Sequence, residues 1–117
     1  MGKRVLIADD SSVMRRMISE VLETQGHQIA GSAKNGAEAV ALYVSTKPDL
    51  VIMDITMGGM DGFTAARMIL NYDPEAQIIF LSNLNDARYR EDALSLGIKG
   101  FVNKNEPVKI LTFIDSP

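Results

Sequence analysis

Asp49-Leu-Val-Ile-Met-Asp54 is the stretch that decides the fold. Four apolar residues run unbroken into a carboxylate. Pro48 precedes them, and the glycine-bearing segment Ile55-Thr-Met-Gly-Gly-Met-Asp-Gly62 follows. A short apolar run bounded by turn signals reads as a strand covered on both faces, as in the centre of a parallel sheet. Asp54 then stands at the carboxyl end of that strand, the edge at which open α/β sheets bind ligands. One aspartate there serves equally well as a turn or N-cap residue. Its meaning depends on what the other strands bring beside it.

Outward from this strand, the pattern repeats. Val5-Leu-Ile-Ala8 is a second apolar run, and it ends in Asp9-Asp10. Ser11 and Ser12 suit the start of a helix, which would bury Val13, Met14, Met17, Ile18, Val21 and Leu22 and stop at Gly26. Both methionines are expected in the core, and His27 in a surface turn. Residues 28–33 form a weaker strand near the sheet edge. Asn35-Gly36 turns the chain into a helix over 37–45 whose buried face is Ala37, Val40, Ala41 and Val44, closed by Lys47-Pro48. After the glycine loop, a helix over 63–70 buries Phe63, Ala66, Ile69 and Leu70 and breaks at Asn71-Tyr-Asp-Pro74. Residues 78–81 form the fourth strand, ending at Ser82-Asn83. Asn85 or Asp86 caps a helix that closes near Leu96 and Gly97. Residues 98–102 form the fifth strand, ending at Asn103-Lys104, and Pro107 opens a last helix over 108–114. Strand and helix alternate five times, which specifies a single α/β domain: a doubly wound five-stranded parallel sheet with helices on both faces.

Composition narrows the function classes. The chain has 117 residues, 46% hydrophobic and 23% charged, and a net charge of −3, so a surface built to coat nucleic acid is not expected. It has no cysteine, hence no disulfide framework, thiolate metal site or cysteine nucleophile, and a reducing compartment fits. No apolar run reaches the length of a signal-peptide core or a membrane span, so a cytoplasmic protein with no membrane partner is expected.

Four strands end in groups with chemical use: Asp9 and Asp10, Asp54, Ser82 and Lys104. In a parallel sheet those ends share one rim. Three neighbouring carboxylates repel unless something positive sits among them. Oxygen ligands without histidine or cysteine suit Mg²⁺ or Mn²⁺, with water and phosphate oxygens completing the shell. Lys104 adds a cation and Ser82 a hydrogen-bond donor for a phosphoryl oxygen. The set suits phosphoryl transfer to or from one carboxylate.

These residues resemble the receiver domain of two-component response regulators, nearest to the free-standing chemotaxis type. The matching stretches are Val5-Leu-Ile-Ala-Asp-Asp10, Asn35-Gly-Ala-Glu-Ala-Val40, Lys47-Pro-Asp-Leu-Val-Ile-Met-Asp54, Met60-Asp-Gly62, Ser82 and Lys104, spread over nearly the whole chain. The resemblance implies a flavodoxin-like fold with strand order 2-1-3-4-5. It implies Asp54 as phosphoacceptor, Asp10 as a direct Mg²⁺ ligand, Asp9 as a ligand mainly through water, and the backbone carbonyl of Thr56 as a further ligand. Ser82 and Lys104 would contact the phosphoryl group, and Phe101 would turn inward when Ser82 moves; read from the residues alone, Phe101 is plain core. The implied partners are a histidine kinase or phosphotransfer protein and a target protein or output domain.

The chain departs from that family's pattern at three places. Asn105 follows Lys104 where proline is usual, so the fifth loop is expected to take another path. Gly58 stands where the family usually has proline, and Asn83 where it has a small residue. Asp115-Ser-Pro117 reads as the opening of a linker to further sequence. A Mg²⁺-dependent phosphatase with an aspartyl-phosphate intermediate shares the chemistry, but its second aspartate would fall at Thr56, and there is no cap insertion. A flavodoxin-like FMN protein would need a phosphate loop where Asp9-Asp10 would repel the phosphate.

Overall fold

A computed structural model of the chain describes residues 2–83 and 89–114. The strands are β1 (Arg4–Ala8), β2 (Gln28–Ala33), β3 (Leu50–Asp54), β4 (Ile78–Ser82) and β5 (Gly100–Asn103). The helices are α1 (Ser12–Thr24), α2 (Gly36–Thr46), α3 (Gly62–Tyr72), α4 (Arg90–Ser95) and α5 (Ile110–Ile114). All strand pairs are parallel, in the order β2-β1-β3-β4-β5.

Side chains alternate between two cores, as the twofold period of a strand requires. Leu6, Val51, Met53, Ile78 and Phe80 face α2, α3 and α4. Val5, Ile7, Ile52, Ile79 and Leu81 face the other way, against Ile18 and Leu22 of α1 and Ile110 and Ile114 of α5. Every residue of β3 and β4 is buried, and each large aliphatic side chain so placed contributes about 1.5–3 kcal/mol of burial.

Local signals start the helices. Ser11 Oγ accepts from the Met14 N–H at 3.2 Å, Asn35 Oδ1 from Glu38 N–H at 2.9 Å, and Asp61 Oδ1 from Thr64 N–H at 2.8 Å. Each satisfies an amide that the helix itself leaves unpaired. Arg4 Nη1 reaches from β1 to donate to the carbonyls of Thr46 and Lys47, at 2.8 and 2.9 Å, closing the end of α2.

The structure corrects several expectations. The buried residues of α2 are Gly36, Ala39 and Tyr43, whereas Ala37, Ala41 and Val44 face outward. The helix is apolar nearly all round, so periodicity could not choose a face. Tyr43 settles it: its hydroxyl donates to Asp73 Oδ2 at 2.7 Å, beyond the end of α3. On α1, Ile18 and Leu22 are buried and Met14 packs beside them, but Val13 and Met17 are 68% and 43% exposed. They lie one step off the 14–18–22 stripe, so Met17 is not core. His27 is buried, not a surface residue. Gly26, at φ +85°, turns the chain back so that His27 Nδ1 accepts the Lys3 N–H at 3.0 Å.

β5 begins at Gly100, where the Phe113 ring lies against the backbone. The last helix opens as a 3-10 turn, Pro107–Lys109. The expected caps Asn85 and Asp86, and the segment 115–117, lie outside the described residues. Among the described residues, no helix is long and apolar enough to cross a membrane.

Gly62 governs how closely α3 approaches the end of β3. A Cβ there would strike the carbonyl oxygen of Asp54, whereas a Cβ on Gly58 would meet open space at an ordinary backbone angle. Gly62→Ala is therefore expected to destabilise the fold by about 1–3 kcal/mol through forced backbone displacement. Gly58→Ala should change stability by less than about 1 kcal/mol, on the stabilising side. Urea unfolding of the two variants checks this; equal stabilities would contradict the close approach.

Candidate functional site

β1 and β3 lie side by side, with Ala8 level with Met53, so the next residue of each strand, Asp9 and Asp54, emerges at the same edge. There the strand order reverses and the crossovers leave to opposite faces, opening a crevice. β5 adds Lys104 from two strands away. Its Nζ donates to Asp54 Oδ2 at 2.8 Å and stands 3.2 Å from Asp9 Oδ2.

The remaining oxygens are held by the loops. Asp54 Oδ1 accepts the Thr56 N–H at 3.2 Å, and Asp9 Oδ1 accepts the Ser11 N–H at 2.9 Å. Asp9 and Asp54 are 0% and 1% exposed, while Asp10 sits exposed on the lip. One carboxylate oxygen from each of Asp9, Asp10 and Asp54 lies within 4.8 Å of the other two.

Ser82 is buried at the end of β4, and its carbonyl accepts the Lys104 N–H at 2.8 Å. Thr56 is exposed just past Asp54. Phe101 is level with Phe80, half-buried against the core on the α4 side, with the Arg90 guanidinium 5.9 Å from its ring centre. A cleft of about 520 Å³ runs from Ser82 and exposed Asn83 past Phe101 to Phe113. The sequence-predicted residues Asp9, Asp10, Asp54 and Lys104 are thus brought together, and Ser82 and Phe101 flank them along β4 and β5.

Two contributors escaped the sequence reading. Asn103 Oδ1 accepts the Asn105 N–H at 2.8 Å, and the Asn103 carbonyl accepts the Glu106 N–H at 2.9 Å. This turn brackets Lys104, and Asn105 in the proline position supplies an N–H that a proline lacks. An asparagine at a strand end was the available signal. Arg15 Nη1 donates to the Asp9 carbonyl at 2.6 Å. Nothing in the sequence distinguished that arginine from its neighbour Arg16.

Burial pushes the Asp54 carboxyl up to about 6, the nearby Asp9 charge adds to the rise, and Lys104 partly offsets it. Burial pulls the Lys104 ammonium down, but the hydrogen bond and charge of Asp54 and the charge of Asp9 outweigh that and hold it above the ordinary lysine value. One lysine does not neutralise three carboxylates. Asp9 Oδ2 is fully buried and makes no hydrogen bond among the described residues; its charged neighbour is Lys104. This buried anionic oxygen shares Lys104 with Asp54, so its charge is only partly offset. Together with the all-oxygen donor set, it fits a hard divalent cation such as Mg²⁺ or Mn²⁺.

A family model described as the response regulator receiver domain matches residues 5–115. The chain is 44% identical to the chemotaxis protein CheY of Thermotoga maritima over 104 residues, 89% of this chain and 87% of the relative. It is 43% identical to CheY of Bacillus subtilis, with the same coverage. Among solved structures, the CheX-CheY-BeF3-Mg complex of Borrelia burgdorferi matches at TM-score 0.89 and 33% identity, covering 95% of this chain and 85% of that one.

The raised Asp54 value sets a pH dependence. Between the ordinary value near 4 and about 6, the folded chain keeps a proton that the unfolded chain has released. In chelator, this group's contribution therefore falls as pH rises through that window and levels off above it. Asp54→Asn cannot titrate, so it should lose this slope and be more stable than wild type at pH 7. Urea unfolding across pH 4–7 checks it; parallel curves for the two proteins would contradict it.

Proposed function

The chain belongs to the response regulator receiver family of two-component signalling, and on that premise we propose that it is a phosphorylation-operated switch whose acceptor is Asp54. Its donor is a phosphohistidine on a histidine kinase or phosphotransfer protein in the cytoplasm, and its output is altered binding to a target protein or output domain. The observation that carries this reading is Lys104 Nζ, bonded to Asp54 Oδ2 at 2.8 Å and 3.2 Å from Asp9 Oδ2. It places a cation where a phosphoryl group on Asp54 would gather negative charge.

The step itself is simple. An ionised Asp54 oxygen attacks phosphorus in line, the new O–P bond forms, and the P–N bond to the donor imidazole breaks, its electron pair leaving with the ring. A value of about 6 leaves Asp54 mostly ionised at neutral pH. Lys104 turns from the carboxylate to the transferred oxygens, and the Ser82 hydroxyl donates to one of them. Asp10, Asp9, Asp54 and the Thr56 carbonyl are the groups that would hold Mg²⁺, which supplies further positive charge when bound. Thr56 gives no second acid, which favours a slow switch over a turnover phosphatase.

Phe101 is the proposed relay. A phenyl ring has no hydroxyl to keep it in solvent, and it already lies half-buried beside Ser82's strand. Ring proton NMR should find the ring already partly inward in the untreated state and more fully inward in the beryllofluoride-treated state. A ring pointing to solvent in both would remove Phe101 from the relay.

Incubation with acetyl phosphate and Mg²⁺, read by intact mass, tests the main reading. The wild type should gain one phosphoryl group and Asp54→Asn none. Lys104→Ala should be labelled slower by roughly a hundredfold or more. Equal labelling of Asp54→Asn would overturn the assignment.

A further inference from the structure

Arg15 stands on the second turn of α1, yet its side chain reaches back to the end of β1. Nη1 donates to the backbone carbonyl of Asp9 at 2.6 Å. Asp9 is fully buried, so that carbonyl needs a partner within the protein. The other groups of Asp9 are also fixed: its N–H donates to the Ala33 carbonyl at 3.0 Å, and Oδ1 accepts the Ser11 N–H at 2.9 Å. The Arg15 N–H itself donates to the Ser11 carbonyl at 3.0 Å, tying the helix start to the same loop. Oδ2 makes no hydrogen bond among the described residues and lies 3.2 Å from Lys104 Nζ.

The Asp9 carbonyl and the Asp10 N–H belong to one planar peptide unit. Holding that carbonyl therefore fixes the plane from which Asp10 departs, as well as the residue that carries Asp9. We propose that Arg15 is a positioning residue for the divalent-cation site, clamping the peptide between its two adjacent carboxylates; this rests on the reading that Asp9, Asp10 and Asp54 hold the ion. Mg²⁺ demands near-ideal octahedral geometry, while Ca²⁺ accepts a variable shell. A clamp on the ligand loop therefore matters more for Mg²⁺.

The sign of the effect separates the clamp from simple charge. A guanidinium beside a cation site repels the incoming cation, so on charge alone its removal would tighten binding. Loss of the clamp acts in the opposite direction. Calorimetric titration with MgCl₂ and with CaCl₂, at matched ionic strength, compares wild type, Arg15→Ala and Arg15→Met. The methionine variant keeps an unbranched apolar stem and helix propensity without a donor, and it carries the comparison should the alanine variant fail to fold. The expected result is Mg²⁺ affinity weakened about tenfold, as for other groups that orient metal ligands, with Ca²⁺ affinity changed by less than about twofold. Unchanged or tighter Mg²⁺ binding, or an equal loss for both cations, would overturn the clamp. Wild-type protein that binds Mg²⁺ but takes no phosphoryl group would remove the phosphoacceptor reading and leave the clamp standing. Wild-type protein that is phosphorylated, with unaltered selectivity in the variants, would remove the clamp alone.

Discussion

Two carboxylates buried side by side, with one lysine between them, are the constraint on which the rest of this molecule depends. Asp9 and Asp54 have almost no exposure, and Lys104 reaches both. Buried ion pairs return little net stability, because desolvation consumes most of the attraction. Here the balance is worse than for a pair, since Asp10 adds a third negative group within reach. The fold carries this arrangement on the strength of its two apolar cores, where β3 and β4 are buried along their whole length. Conflict between local stability and global fold is expected where a site is built for chemistry.

The backbone around the acidic groups is tied by hydrogen bonds at several points. Ser11, Thr56 and Arg15 hold the oxygens and carbonyls of Asp9 and Asp54, and the Asn103 turn holds Lys104. Gly62 lets α3 start against the carbonyl of Asp54, with its own N–H on the Ile55 carbonyl at 2.8 Å. The second carboxylate oxygens of Asp9 and Asp54 are left to Lys104. Along β4 and β5, Ser82 and Phe101 line a cleft that runs from that edge between α4 and α5.

The strand pattern made the fold legible. Unbroken apolar runs ending in polar groups located β1, β3 and β4, the mixed stretches of β2 and β5 were placed by their alternation with helices, and the shared rim followed from that parallel alternation. Register and strand order did not come from periodicity; order 2-1-3-4-5 came with the family resemblance and is the order observed. Helix faces were read less well where apolar residues occur all round, as in α2, or where a stripe runs one residue off the apparent one, as at Val13 and Met17. His27 looked like a surface turn residue because its partner, the Lys3 N–H, is distant in sequence. Asp9, Asp10, Asp54 and Lys104 were legible as chemistry because their types are informative at strand ends. The side chains that hold them in place were not, since an arginine on a helix or an asparagine in a turn is ordinary until geometry shows what it touches.

The central claim is that Asp54, and no other group on this rim, takes the phosphoryl group. Borohydride reduction of the phosphorylated protein converts an acyl phosphate to an alcohol and so marks the residue that carried it. Peptide mass spectrometry after reduction should find homoserine at position 54 and unmodified aspartate at positions 9, 10 and 61. Homoserine at any of those three positions instead, or a phosphoryl group that survives on a serine or threonine, would contradict the account.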